Sequence, residues 1–150
     1  MASEFIIDGT RFTNLQEFYD HVSSVLIPGL DWGRHLDAFS DILFWPVPEA
    51  EMPYTLIWRH ADLSRERLGH AEMARWLEGV LAERVEFSKG GERAAIAGWT
   101  EEDLEDLRTT FIPELEEQLA AAKRGEGQTL FDLLVEIIEQ NSEYVRLVLD

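Results

Sequence analysis

The chain has 150 residues, of which 45% are hydrophobic and 11% aromatic; this fits one folded domain and excludes a disordered polymer. Its 30 Asp and Glu against 13 Lys and Arg give a formal net charge of −17. That charge disfavours nucleic acid and anionic membranes as partners and favours cationic proteins, although solubility accounts for it equally well. With no cysteine, a disulfide framework and a cysteine-ligated zinc site are excluded, which fits a reducing, cytoplasmic location.

The N-terminus has no basic region followed by a long apolar run, and Phe5-Ile6-Ile7 reads as a strand stopped by Asp8-Gly9 rather than as a signal peptide. No segment approaches the roughly 18 apolar residues of a membrane helix. Thr13-x-x-Gln16 can form a capping box for a helix in which Leu15, Phe18, Tyr19, Val22, Val25 and Leu26 recur at helical spacing up to Pro28-Gly29. A second helix runs from about Arg34 to Leu43, with Leu36, Phe39, Ile42 and Leu43 facing the core and Arg34, Asp37 and Asp41 opposite. Pro46, Pro48 and Pro53 mark a loop before the strand Tyr54–Trp58, and a short helical turn follows near Ser64–Leu68.

Met73, Trp76, Leu77, Val80 and Leu81 form the stripe of a further helix, and the polar, glycine-containing segment Ser88–Gly98 reads as a loop. Thr100 caps a helix whose first turn holds Glu101, Glu102 and Asp103. Leu104, Leu107, Phe111, Leu115 and Leu119 continue its stripe across an expected kink at Pro113, and Gly125-Glu126-Gly127 stops it. The chain closes with a helix, Thr129 to about Gln140, and a strand, Tyr144–Leu149. That helix buries Leu130, Leu134, Ile137 and Ile138 and shows Asp132, Glu136 and Glu139 on its other face. The order predicts an α/β fold: a small three-stranded parallel sheet packed with helices through right-handed crossovers. There is no internal repeat and no low-complexity segment.

No enzyme signature stands out. His21, His35, His60 and His70 are not spaced as metal ligands, and there is no H-E-x-x-H, Walker loop, G-x-G-x-x-G or G-x-S-x-G elbow. Gly90-Gly91 lacks the strand-to-helix setting of a phosphate cradle. No catalytic residue, metal or cofactor is therefore expected. Asp37 and Asp41, on adjacent turns, repel each other mildly; plain solvation and a cationic partner both account for such a face.

The segment Asp31-Trp32-Gly33-Arg34-His35-Leu36-Asp37-Ala38-Phe39-Ser40-Asp41-Ile42-Leu43 resembles the signature of the barstar family of ribonuclease inhibitors: an aromatic, a glycine, then a helix that opens on Leu-Asp-Ala and carries a second Asp one turn later. Phe5–Gly9 with the helix from Leu15, Leu56-Ile57-Trp58-Arg59 with the short helix after it, and the closing helix and strand resemble the family's flanking elements. The resemblance covers roughly residues 4–68 and 127–150. It implies a single barstar-like domain over 1–150, with residues 69–126 as a helical insertion.

It also implies a function. Such proteins insert the second helix and the loop before it into the cationic cleft of a small ribonuclease, where acids stand in for RNA phosphates. By position, Asp41 would be the main anchor and Asp37 a second charged contact, while Trp32 and Gly33 would shape the loop that enters the cleft. Glu136 is the acid nearest the family's contributing glutamate, which an ungapped alignment puts at Ile137. The sequence departs from the family at three contact positions: Asp31 replaces a tyrosine, His35 an asparagine and Ser40 a tryptophan. The resemblance thus implies an antitoxin or immunity-type inhibitor, not an enzyme, with a protein partner and with no nucleic acid or membrane. The alternative is an acidic adaptor on the same fold that binds a non-nuclease cationic protein.

Overall fold

Three short apolar runs become three parallel strands: β1 (Glu4–Asp8), β2 (Tyr54–Arg59) and β3 (Val145–Leu149), in the order β1-β2-β3. The register sets Phe5 beside Leu56 and Leu147, and Ile7 beside Trp58 and Leu149. Alternation along the strands then sends Ile7, Tyr54, Leu56, Trp58 and Val145 into the core. The computed structural model describes residues 3–29, 35–44 and 53–150. The chain forms two compact units, one of residues 1–69 with 129–150 and the other of residues 70–128.

In the first unit, α1 (Leu15–Leu26), α2 (Leu36–Phe44), α3 (Ala61–Arg67) and α8 (Leu130–Gln140) accompany the sheet. Trp58, fully buried, organises the core: Phe18 stacks on it at 5.5 Å, and Phe131 meets it edge-on at 5.0 Å. Its indole N–H donates to the buried Ser64 hydroxyl at 2.9 Å, so no polar atom is stranded beside the rings. On α8, Phe131 is buried although the periodicity left it out of the core, and Ile137, expected inside, is only half-buried. The cap of α1 sits one residue later than the expected Thr13–Gln16 box. Asn14 accepts from the Glu17 backbone N–H at 2.8 Å, and the Glu17 carboxylate accepts from the Thr13 N–H at 2.8 Å. α3 begins three residues before the expected turn, at Ala61.

In the second unit, α4 (His70–Ser88) packs along α7 (Ile112–Lys123), with α5 (Glu92–Ile96) and α6 (Glu101–Asp106) between them in sequence. Ser88–Gly98 is therefore not a continuous loop. Gly90, Gly91 and Gly98, all at positive φ, confine the breaks to the two ends of α5, whose Ala94 is buried. The kink expected at Pro113 takes the form of a π-helical segment, Leu107–Phe111, in which the Ile112 N–H bonds to the Leu107 carbonyl. Pro113 has no N–H to give the preceding turn, and its ring crowds the carbonyl four residues back, so a wider turn relieves both. The extra residue rotates everything after it. Ile112 takes the inward place expected of Phe111, and Phe111 is left 56% exposed.

Candidate partner-binding face

α2 forms because Phe39, Ile42 and Leu43 fall on one side of a helix and can be buried together. Phe39 meets Phe18 edge-on at 5.4 Å, and the Tyr54 hydroxyl donates to the Leu43 carbonyl. Burial pushes the Tyr54 phenol well above its ordinary pKa, so it remains a neutral donor. The inner side of the helix is thus fixed to the sheet, and the outer side is free to carry charge.

Asp37 and Asp41 are exposed on that outer side, one turn apart. Among the described residues neither has a hydrogen bond or ion pair. The helix itself contains no basic residue. Two like charges at this spacing raise the energy of the free helix by a few tenths of a kcal/mol, which a cation placed between them would reverse.

His35 and Ser40 are tied into the protein's own structure. His35 occupies the N-cap position: its carbonyl accepts from the Phe39 N–H at 2.9 Å, and its Nδ1 accepts from the Ala38 N–H at 3.2 Å. Ser40, half-buried, accepts through Oγ from the Asn141 Nδ2 at 3.1 Å, and the same Nδ2 donates to the Ile137 carbonyl at 2.8 Å. Tyr144 closes edge-on against Phe44 at 4.4 Å. Asn141 at the C-terminal end of α8 and Tyr144 before β3 thereby seat the far end of α2.

Ser40, Asp41, Phe44, Asn141 and Tyr144 line one groove of about 480 Å³, so Asp41 stands at the rim of a concavity as well as on a helix face. Glu136 is exposed on α8 but does not line the groove. Trp32 and Gly33, with Asp31 and Arg34, lie outside the described residues. Phe44, Asn141 and Tyr144 were missed in the sequence; the available signal was a side-chain amide at a helix end, followed by an aromatic immediately before a strand.

Among the described residues, no group of three His, Asp or Glu could hold a metal ion, and no helix is long and apolar enough to cross a membrane. A family model described as barstar (barnase inhibitor) matches residues 2–97 of the chain. No curated protein and no solved structure matches it.

Proposed function

The chain belongs to the barstar family, whose members are inhibitors rather than enzymes, and on that premise we propose that it is an antitoxin or immunity-type inhibitor of a small basic ribonuclease. Inhibition is by occlusion: α2 and the loop before it enter the nuclease's cationic cleft, with Asp41 as the main anchor and Asp37 as the second. The observation that carries this reading is the pair of exposed carboxylates, unpartnered among the described residues, on a helix whose opposite side is pinned to the sheet. Such a helix presents charge already ordered, so little conformational entropy is lost on binding. Trp32 and Gly33 shape the entering loop, and Glu136 is the acid on α8 nearest the family's contributing glutamate. Residues 69–126 are read as a helical insertion within one barstar-like domain.

His35 and Ser40 keep their place at this face with a changed duty, the first as cap and the second as the seat for Asn141. Two family contact positions given over to internal bonds point to a nuclease different from that of the family's usual pattern. The same two positions are what favours the second reading, an acidic adaptor for a non-nuclease cationic protein.

The test is co-purification and RNA-cleavage assay with small basic ribonucleases from the same source. Asp41→Ala should cost about 3–5 kcal/mol of binding where its partner cation is left desolvated, with the circular dichroism spectrum unchanged. Inhibition that survives Asp37→Ala and Asp41→Ala together overturns the mechanism. A stable cationic partner recovered without any protection of RNA selects the adaptor.

A further inference from the structure

The second unit holds a cavity of about 540 Å³, within the size range of preformed ligand sites. Its walls are apolar and aromatic: Val80 and Phe87 from α4, Trp99 from the turn before α6, Leu107 and Phe111 from the π segment, and Leu115 from α7. Phe87 and Trp99 meet edge-on at 4.9 Å, which fixes one wall. Phe111 forms another while 56% exposed, and Trp99 is 41% exposed. Leaving a phenylalanine in water forgoes about 1.5–3 kcal/mol of burial. The π segment that turns Phe111 outward is a device found frequently at functional sites.

Charge decides what could fill the cavity. Residues 70–128 carry fourteen Asp and Glu against seven Lys and Arg. Five of those seven cations are already engaged: Arg75 with Glu72, Lys89 with Glu86, Lys123 with Glu78, Arg108 with Glu101 and Glu105, and Arg124 with Glu117 and Glu126. Glu114 at the mouth, with Glu83 and Glu116 on the same two helices, has no ion-pair partner among the described residues. Arg84 and Gln118 also line the mouth and offer donors to a backbone carbonyl. A second copy of the chain would bring −17 against −17 and is repelled.

We propose that this pocket is a second recognition site, which receives one large apolar side chain from a basic polypeptide segment whose Lys or Arg residues face Glu114 and its neighbours. The proposal stands independently of the reading of α2.

The test uses the intact protein and a short synthetic peptide of Lys, Gly and Ser around a central Trp-Leu pair, with calorimetry and with NMR of the Trp99 indole. The basic peptide should shift the Trp99 signal, and Phe111→Ser should weaken it tenfold or more. Phe111 is exposed, so that variant should fold. Glu114→Lys should weaken binding as well, while Asp62→Lys in the first unit, an equal change of charge, should not. Equally tight binding of a control peptide in which Glu replaces each Lys, an unmoved Trp99 signal, or an affinity indifferent to Phe111→Ser each overturns the site. Asp37→Ala with Asp41→Ala should leave peptide affinity unchanged, so failure of the ribonuclease reading and failure of this one are separately visible.

Discussion

His21 accepts the Asp8 backbone N–H at Nε2, 2.9 Å away, with its ring tilted against Phe12 at 5.8 Å. The acceptor nitrogen must be bare, and partial burial lowers the ring's pKa below the ordinary 6.5, with Asp8 opposing and Arg11 assisting. The folded chain therefore holds the neutral ring, while the unfolded chain takes up a proton near 6.5. The stability due to His21 is complete above that pH and is lost as pH falls through the lower, folded value. Urea midpoints should begin to drop just below about pH 6.5. Asp8, Glu17 and Asp103 are lowered by their turn and cap hydrogen bonds and add a separate loss only in the acid range. A His21→Gln protein should start from a lower plateau and lack the first step; a wild-type profile flat from pH 7 to 5.5 would contradict this account. The sequence shows four histidines, but not that one of them is an acceptor within the core's edge, because the bond joins residues 13 apart.

At the scale of elements, α2 was legible in advance. Leu36, Phe39, Ile42 and Leu43 against Asp37 and Asp41 is a two-sided pattern, and the structure keeps both sides except that Leu36, in the first turn, is only half-buried. What periodicity could not give is the seat of its far end. The Ser40–Asn141 bond spans 101 positions, and a lone side-chain bond of that range leaves no periodic trace. Asn141→Ala should therefore loosen α2 without removing either acid. We expect a loss of about 1 kcal/mol in stability and, if α2 is the binding face, faster dissociation from the partner with association little changed. Both are readable by chemical denaturation and stopped-flow fluorescence. Equal loss from the two rate constants would mean that the contact does not order the bound face.

The misreadings at α1 and in the second unit have separate causes. Thr13-x-x-Gln16 and Asn14-x-x-Glu17 both fit a cap pattern, and only the backbone path of Thr13 decides between them. In the second unit, one added residue in a π turn moves Phe111 out of a stripe that a uniform 3.6-residue period places it in. Pro113 announced a disturbance but not its form.

For the molecule as a whole, the charge of −17 acts at a distance and through solvent. Association with a cationic partner should slow severalfold between 50 and 300 mM salt, as the Debye length shrinks from about 14 to about 6 Å, while dissociation changes much less. Rates measured by stopped-flow that are independent of salt would remove the long-range part of the proposed mechanism. The sequence reveals the size of the field directly. Which carboxylates are left without a cation, as Asp37, Asp41 and Glu114 are among the described residues, emerges only once the chain is folded.

The central position of β2 has a consequence in time. Its partner on one side, β1, is synthesised before it, whereas β3 on the other side is synthesised some ninety residues later, after the whole of residues 70–128. The entropy lost in closing so long a loop grows only logarithmically with its length, so the finished fold tolerates the interval well. The nascent chain is less fortunate. Until Val145–Leu149 leaves the ribosome, one edge of β2 offers its N–H and C=O groups to any passing strand. Slow translation through residues 70–128 lengthens that exposure, and a ribosome stalled there holds a protein whose α2 has lost the Asn141 seat as well as the last strand of the sheet.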